Sequence, residues 1–330
     1  MILVTGGTGY IGSHTVLKLL EQNNEVAIVD NLYNSKKEVI ESIERIACKT
    51  VRFYQFDLLD IEGLEKIFEE NTIECIIHFA GLKAVGESVA EPLKYFNNNI
   101  VGTINLLNAM RKHGCKKIIF SSSATVYGAS EVMPLNEDSA LGVTNPYGRT
   151  KLVIEEMLRD IYQSNNELGI VMLRYFNPIG AHKSGLIGEN PNGIPNNLMP
   201  FICKAAKGEV PKLNIFGNDY DTIDGTGVRD YIHVEDLAVG HVKAYEKIKT
   251  ENGLFVYNLG TGKGYSVLTV LKTFERVNNV NINYEIAPRR AGDVASVYAD
   301  TKKAEEELGF KAAFDIEDMC RDSWNFYKEK

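Results

Sequence analysis

Cysteine is scarce in this chain, and none of it is spaced for a metal or a disulfide framework. The five residues, Cys48, Cys75, Cys115, Cys203 and Cys320, are scattered, odd in number and free of any Cys-x-x-Cys spacing. They are expected to be reduced thiols, with no case for zinc. Long apolar runs are lacking too, none reaching the length that spans a bilayer. Met1 leads straight into an apparent strand and not into a signal peptide, so the expectation is a cytoplasmic protein away from membranes. No basic stripe offsets the net charge of -8, which argues against a nucleic-acid partner. An anionic small ligand would then depend on a few locally placed arginines. Low-complexity tracts and internal repeats are missing as well. The 330 residues allow one large core or two unequal domains.

What is present is an alternation of short apolar runs with helical patterns. Residues 2–5 form an apolar run that breaks into Gly6-Gly7-Thr8-Gly9-Tyr10-Ile11-Gly12, and a helical pattern follows over 13–22. Strand, glycine turn and helix, in that order, are the context a dinucleotide-binding fingerprint requires. Gly6 permits the tight turn, Gly9 lets the backbone approach a pyrophosphate, and Gly12 lets helix and strand pack closely. The helix N-terminus then faces phosphate charge. The next strand, 25–29, ends at Asp30. An acid there can accept hydrogen bonds from both adenosine ribose hydroxyls and would repel a 2′-phosphate, which favours NAD over NADP. Residues 51–56 before Asp57, and 73–79 before Ala80-Gly81, read as further parallel strands, and ligands sit at the carboxyl ends of such strands. His78, inside one of them, reads as a packed core histidine. The expected fold is α/β, a doubly wound parallel (Rossmann) sheet.

Helices are expected at 93–113 and 146–165, with a strand at 117–120 running into Ser121-Ser122-Ser123-Ala124-Thr125-Val126-Tyr127-Gly128. Asn145 suits a helix cap and Pro146 the first turn after it. Tyr147 and Lys151 then share one helical face. A free phenol titrates near ~10, and an ammonium held close favours the phenolate and pulls that pKa down. Such a tyrosine can take a proton from a substrate hydroxyl. The same spacing recurs at Tyr33/Lys37, Tyr245/Lys249 and Tyr298/Lys302, where an exposed helix or loop is the better reading. A serine hydroxyl at that strand end completes a candidate triad with Tyr147 and Lys151.

The glycine turn, His78-Phe79-Ala80-Gly81-Leu82-Lys83-Ala84-Val85-Gly86-Glu87-Ser88, the run 121–128, Leu173-Arg174-Tyr175-Phe176-Asn177-Pro178, residues 193–200 and residues 225–233 together carry a resemblance. The sequence resembles the extended short-chain dehydrogenase/reductases, and among them the UDP-galactose 4-epimerase family, nearly from end to end. The resemblance implies that Tyr147 is the acid/base, that Lys151 tunes it and holds the nicotinamide ribose, and that Ser123 relays or orients the proton. It places Tyr10, Ile11, Asp30, Asn31, Leu32, Tyr33, Asn34, Ser35, Asp57, Leu58, Phe79, Ala80, Gly81, Leu82, Lys83, Asn98 and Phe176 around NAD. It implies removal of a C4 proton and hydride, rotation of the 4-keto sugar and re-reduction, with NAD bound throughout as a prosthetic group. A homodimer through the helices near 93–113 and 146–165 is implied as well.

After Asn177 the pattern changes. Residues 181–197 are rich in Gly, Pro and Asn and read as a long ordered loop. A helix at 198–207, a strand at 212–216, a helix at 234–249, a strand at 255–259 and a helix at 316–327 come after it. The resemblance makes this a smaller mixed α/β domain for a UDP-sugar, dividing the chain into 1–178 and 179–330, with part of 234–260 returning to the first domain. It assigns Asn177, Asn197, Leu198, Phe216, Arg229, Arg290 and Asp293 to the UDP part, while Lys83, Ser123 and Tyr147 face the sugar. Arg229 and Arg290 meet an independent demand, since a diphosphate needs fork-shaped cationic donors. Gly260-Thr261-Gly262-Lys263-Gly264 reads as a glycine-rich turn, because the nucleotide fingerprint is already placed, and Trp324 reads as packing. Val297 precedes Tyr298-Ala299-Asp300 where the family sets a wall against the sugar's C2 substituent. A small residue there implies that N-acetylated UDP-hexoses are admitted too. A dehydratase of the same fold would carry an acidic pair where this chain has Ala124-Thr125, and a non-catalytic NAD sensor would have no use for Ser123, Tyr147 and Lys151 together.

Overall fold

The computed structural model describes residues 1–130, 132–192, 195, 197–290, 292–328 and 330. The chain forms two compact units. The first comprises Met1–Gly128, Ala140–Arg174 and Ala238–Tyr257, and the second Ala129–Ser139, Tyr175–Leu237 and Asn258–Lys330. The sequence places one division after residue 178, with a return within 234–260. The units add a further excursion, Ala129–Ser139. It joins the rest of that unit by one bridge, Leu135 to Ala299, with Leu135 N donating to the Tyr298 carbonyl at 3.0 Å and Asp300 N to the Leu135 carbonyl at 2.7 Å, and by Asn258, which donates to Glu137 Oε1 at 2.6 Å and to the Leu135 carbonyl at 2.8 Å. A pairing of one residue leaves no periodic pattern to read.

In the first unit β1 (Ile2–Thr5), β2 (Val26–Val29), β3 (Arg52–Tyr54), β4 (Cys75–His78), β5 (Lys117–Ser123), β6 (Gly169–Tyr175) and the strand Gly253–Leu259 form one sheet. Their order is Gly253–Leu259, β6, β5, β4, β1, β2, β3, and the pairs from β3 through β5 are parallel. Helices cover both faces, so β1, β2 and β4 are buried at every residue and read as unbroken apolar runs. Leu3, Ile76, Ile118 and Met172 from the strands meet Leu64, Leu106, Ile154 and Leu158 from the helices in one core. The chain reverses direction across the sheet between β1 and β4, and ligands of such folds lie at that point.

Two local features shape the helices beside this sheet. Asn145 caps the helix Pro146–Ser164, its Oδ1 accepting from Gly148 N at 2.9 Å, with Pro146 in the first turn. The helix expected over 93–113 is instead broken into Pro92–Tyr95, a π-helical stretch Phe96–Val101, and Gly102–Lys112. A wider turn of that kind re-aims the side chains it carries.

In the second unit the strand Val228–His233 pairs with Asn177–Ile179 and Ser296–Val297 in parallel and with Gly264–Ser266 antiparallel. Leu213–Phe216 and Tyr284–Ala287 form a separate parallel pair. A second core gathers Ile179, Ile202, Leu213, Leu271, Phe274 and Met319. Trp324 packs edge-on against Phe274, with ring centroids 5.9 Å apart. Among the described residues no helix is long and apolar enough to cross a membrane.

Candidate active site

The turn after β1 is built to bring backbone close. Gly6 has φ +70°, and a Cβ there would lie 2.8 Å from Ala80 N, while one at Gly12 would run into the Gly6 carbonyl. A Cβ at Gly9 would meet only that carbonyl, at 3.2 Å, so Gly9 marks the open side of the turn. Asp30 faces the same turn. Its Oδ2 accepts from Thr8 N at 3.1 Å and its Oδ1 from Leu32 N at 2.9 Å and Ser35 Oγ at 3.2 Å. A carboxylate offers about four acceptor positions, so Asp30 keeps capacity for ribose hydroxyls. Asn31 donates to Asp57 Oδ2 at 2.7 Å, which ties the ends of β2 and β3 together. An open backbone turn at a helix N-terminus, with an oriented acid beside it, fits NAD. Leu58 is buried, Lys83 and Asn34 lie in exposed loop positions, and Asn98 is half-buried in the π-helical stretch. Phe176 belongs to the second unit and is buried there, its N–H donating to the Leu259 carbonyl at 3.3 Å.

The sequence triad comes together in the first unit. Ser123 is the last residue of β5, and its Oγ accepts from Thr125 N at 3.3 Å and hydrogen bonds to the Tyr147 hydroxyl. Ser123, Tyr147 and Lys151 are all buried. Burial pushes the Tyr147 phenol up to about 12, opposed by the Ser123 hydroxyl. The expected pull from Lys151 is not what acts on it. Lys151 Nζ donates to the Ser121 carbonyl at 2.7 Å and lies 6.0 Å from the Tyr147 ring centroid. Burial pushes Lys151 itself down to about 8, opposed by the Glu155 carboxylate. A site with so little water disfavours charge on either partner.

Three neighbours carry no catalytic signature in the sequence, and a fourth is the histidine already read as core. Glu155, one turn beyond Lys151, is fully buried and accepts from Ser122 Oγ at 2.6 Å, from Arg174 Nε at 2.9 Å and from Arg174 Nη2 at 2.6 Å. Arg174 also donates to the Tyr127 hydroxyl at 3.1 Å. The Glu155 carboxylate holds the Arg174 guanidinium protonated against burial. Asn99 holds the other side. It accepts from Leu82 N at 2.8 Å and donates to the Leu82 carbonyl at 3.0 Å and to Thr150 Oγ1 at 3.0 Å. His78 is the core residue the sequence implies, set between Thr5 Oγ1 at 2.7 Å and Thr103 Oγ1 at 2.9 Å and pushed down to about 3 by burial.

The second unit gathers most of its own candidates. Asp293 accepts from Arg290 Nε at 2.9 Å and lies 3.8 Å from Arg229 Nη2, and the Arg290 guanidinium sits 5.0 Å from the Phe216 ring centroid. Val297 is in register with Arg229 on the adjacent strand, and Asn177 with Tyr231 on the other side. Asn197 Nδ2 donates to Glu189 Oε1 at 2.6 Å, and Leu198 opens a helix and packs against the unit's core. Of the run 193–200, Gly193, Ile194 and Asn196 lie outside the described residues. The Gly260–Gly264 turn is occupied by protein. Asp230 accepts from Thr261 N at 2.9 Å, Thr261 Oγ1 at 2.7 Å and Gly262 N at 3.0 Å, which leaves those donors spent.

The Lys151 shift sets a pH dependence. In the folded chain Lys151 titrates near 8, and an unfolded lysine near ~10.4. Between those values the unfolded state binds more protons, so stability rises with pH. Below the folded pKa the buried ammonium is a constant cost. The stability difference between the parent and Lys151→Met, followed by urea unfolding of nucleotide-free protein, should therefore move in the parent's favour by about 2 kcal/mol from pH 8 to pH 10. A difference that stays flat would show that Lys151 keeps its proton when folded.

Comparison with known proteins agrees with this fold. The GDP-mannose 4,6 dehydratase family model matches residues 3–323. A UDP-glucose 4-epimerase of Bacillus subtilis is 57% identical over 325 residues, covering 98% of this chain and 96% of that one. The crystal structure of a UDP-glucose 4-epimerase from Bifidobacterium longum, in complex with NAD+ and UDP, superposes with a TM-score of 0.96 at 52% identity, covering 99% of this chain and 98% of that one. One from Stenotrophomonas maltophila, with bound NAD and formylated UDP-arabinopyranose, superposes at 0.98 with 48% identity, over 99% and 98% of the two chains. The fold thus has its counterpart in known proteins, and the chain belongs to the UDP-glucose 4-epimerases within the broad GDP-mannose 4,6 dehydratase family.

Proposed function

We propose that the chain interconverts UDP-galactose and UDP-glucose in the cytoplasm, with NAD as a retained cofactor. The observation that carries this reading is the buried Ser123–Tyr147–Lys151 group in the same unit as the glycine turn and Asp30, in a chain 57% identical to a UDP-glucose 4-epimerase over nearly its full length.

Gly6 to Gly12, Asp30 to Ser35 and the loop after β4 would hold NAD. The chemistry that bound NAD supplies is acceptance of the C4 hydride and its return to the opposite face of the turned-over 4-keto sugar. Tyr147, in its phenolate form, would take the C4 hydroxyl proton, and as the phenol would give it back. Ser123, bonded to the phenol and fixed by the Thr125 N–H, orients both hydroxyls. Lys151 holds its proton loosely, because burial brings it down to about 8, and so can follow the change of charge at Tyr147. No carboxylate follows Ser123 at Ala124 or Thr125, so nothing there drives the loss of water that a dehydratase needs. In the second unit Arg229 and Arg290 present fork-shaped donors on either side of Asp293, the arrangement a diphosphate requires.

Purified protein given UDP-galactose and no added cofactor should form UDP-glucose, seen by the anomeric proton signals, and approach one fixed ratio from either sugar. Tyr147→Phe should lose turnover by about a hundredfold or more, the scale of a general acid/base. No conversion by folded parent protein supplied with NAD would refute the reading.

Val297 pairs with Arg229 on the adjacent strand, and a small residue in the family's wall position would admit a larger C2 substituent. Dual use of plain and N-acetylated UDP-hexoses is expected, with comparable rates on UDP-galactose and UDP-N-acetylgalactosamine. Val297→Tyr should cut the second rate about tenfold or more while sparing the first, the discrimination a pocket wall provides.

Association is the third expectation. Val89 is 63% exposed, Leu93 79%, and Val101 and Ile104 39% each, on consecutive helical segments of one unit, and such a patch is the mark of an interface. Light scattering at micromolar concentration should return twice the chain mass of 36.8 kDa. A mass of one chain would count against the dimer.

A further inference from the structure

The loops after β2 and β4 meet through side chains that the catalytic reading does not use. Tyr33, in the segment after β2, is 55% exposed, yet its hydroxyl accepts a hydrogen bond from Lys94 Nζ at 2.8 Å. Lys94 lies on Pro92–Tyr95, beyond β4 and the helix Val85–Ala90. Its ammonium also donates to Glu87 Oε1 at 2.6 Å. The second oxygen of Glu87 is bound by the hydroxyl of Tyr95 at 2.8 Å, and the Tyr95 hydroxyl in turn accepts from Ala84 N at 3.0 Å. Tyr95 is fully buried. The series therefore starts from a fixed side chain and ends on an exposed loop. The loop end is anchored as well, with Tyr33 N donating to Asn31 Oδ1 at 3.0 Å and Asn31 to Asp57 at 2.7 Å.

The place of this contact is set by the sheet order. β1 lies between β2 and β4, so a link from the segment after β2 to the helices after β4 passes across the carboxyl end of β1. The Gly6–Gly12 turn is there, and a pyrophosphate binds over such a turn. A dinucleotide running from Asp30, at the end of β2, toward Ser123, at the end of β5, crosses the same line.

We propose that Lys94 is a cofactor-retaining residue, closing with Tyr33 over the glycine turn and slowing the release of NAD. The proposal rests on the NAD reading above. The Tyr33/Lys37 spacing keeps its ordinary reading, since the lysine that meets Tyr33 comes from 61 residues away. The groups that face Lys94 are Glu87 and the hydroxyl of Tyr33. The Glu87 carboxylate, then the Tyr33 hydroxyl, keep its ammonium protonated, so the link carries a full charge at neutral pH. A charged link in contact with solvent is weakened by salt.

The test uses protein purified with its NAD and diluted into an enzymatic trap that consumes free NAD, so that the trap signal reports the release rate. Lys94→Ala should release NAD about two- to fivefold faster than the parent at low salt, the scale of an exposed ion-pair network. Lys94→Arg, which keeps the donor and charge, should stay near the parent. Salt near ~1 M should bring the parent to the Lys94→Ala rate and leave that variant's rate nearly unchanged. Lys66→Ala, which breaks a comparable exposed pair with Glu70 in the same unit, should not alter release. Equal release by the parent and Lys94→Ala at low salt would overturn the proposal while leaving the cofactor reading intact. A parent protein that carries no NAD and binds none when supplied would remove both.

Discussion

A full charge taken out of water has to be paired, and the Glu155–Arg174 pair is where the catalytic half of this chain accepts that cost. Neither side chain has any exposure. The carboxylate belongs to the helix that carries Tyr147 and Lys151, and the guanidinium to β6. Ser122, which shares the carboxylate, is next to Ser123, and Tyr127, which shares the guanidinium, closes the short turn after it. Three elements that meet only in space are thus fixed by one bidentate contact. Losing either partner would strand a buried charge, at a cost of about 3–5 kcal/mol. The pair ties the strand end that carries Ser123 to the helix that carries Tyr147.

Much of the first unit was legible because its elements are local. The apolar runs at 2–5 and 73–79 and the glycine string between strand and helix each report on a few consecutive residues, and the strands Ile2–Thr5 and Cys75–His78 fall inside them. Asn145 and Pro146 announced a helix start that the cap geometry reproduces. The network behind the triad was harder to see. Arg174 interrupts an apolar strand, and Glu155 falls four residues after Lys151, so both left a trace that reading for catalytic types alone passes over. Asn99 left none. Its inward aim depends on a π-helical turn, and no residue pattern in 93–113 marks where such a turn begins.

The expected influence of Lys151 on Tyr147 shows where spacing stops being informative. Two residues four apart share a face, yet the lysine ends on the carbonyl of Ser121 because that strand passes closer than the phenol does. In the second unit, the pairing of Arg229 with Val297 and with Asp293 joins residues far apart in sequence. Single residues there could be nominated from their chemistry, but only the sheet register puts them side by side.

The way the chain passes between its two units has a consequence for its synthesis. The sheet of the first unit ends on the strand Gly253–Leu259, although its other six strands are complete by Tyr175. On the ribosome, the edge of β6 therefore waits unpaired while more than seventy further residues are made, most of which belong to the other unit. An uncovered strand edge is a template for pairing with another chain, and long-range pairing of this kind is slow to form. The nascent protein carries this uncovered edge throughout that interval, so slower translation through residues 176–252 would prolong its exposure to aggregation.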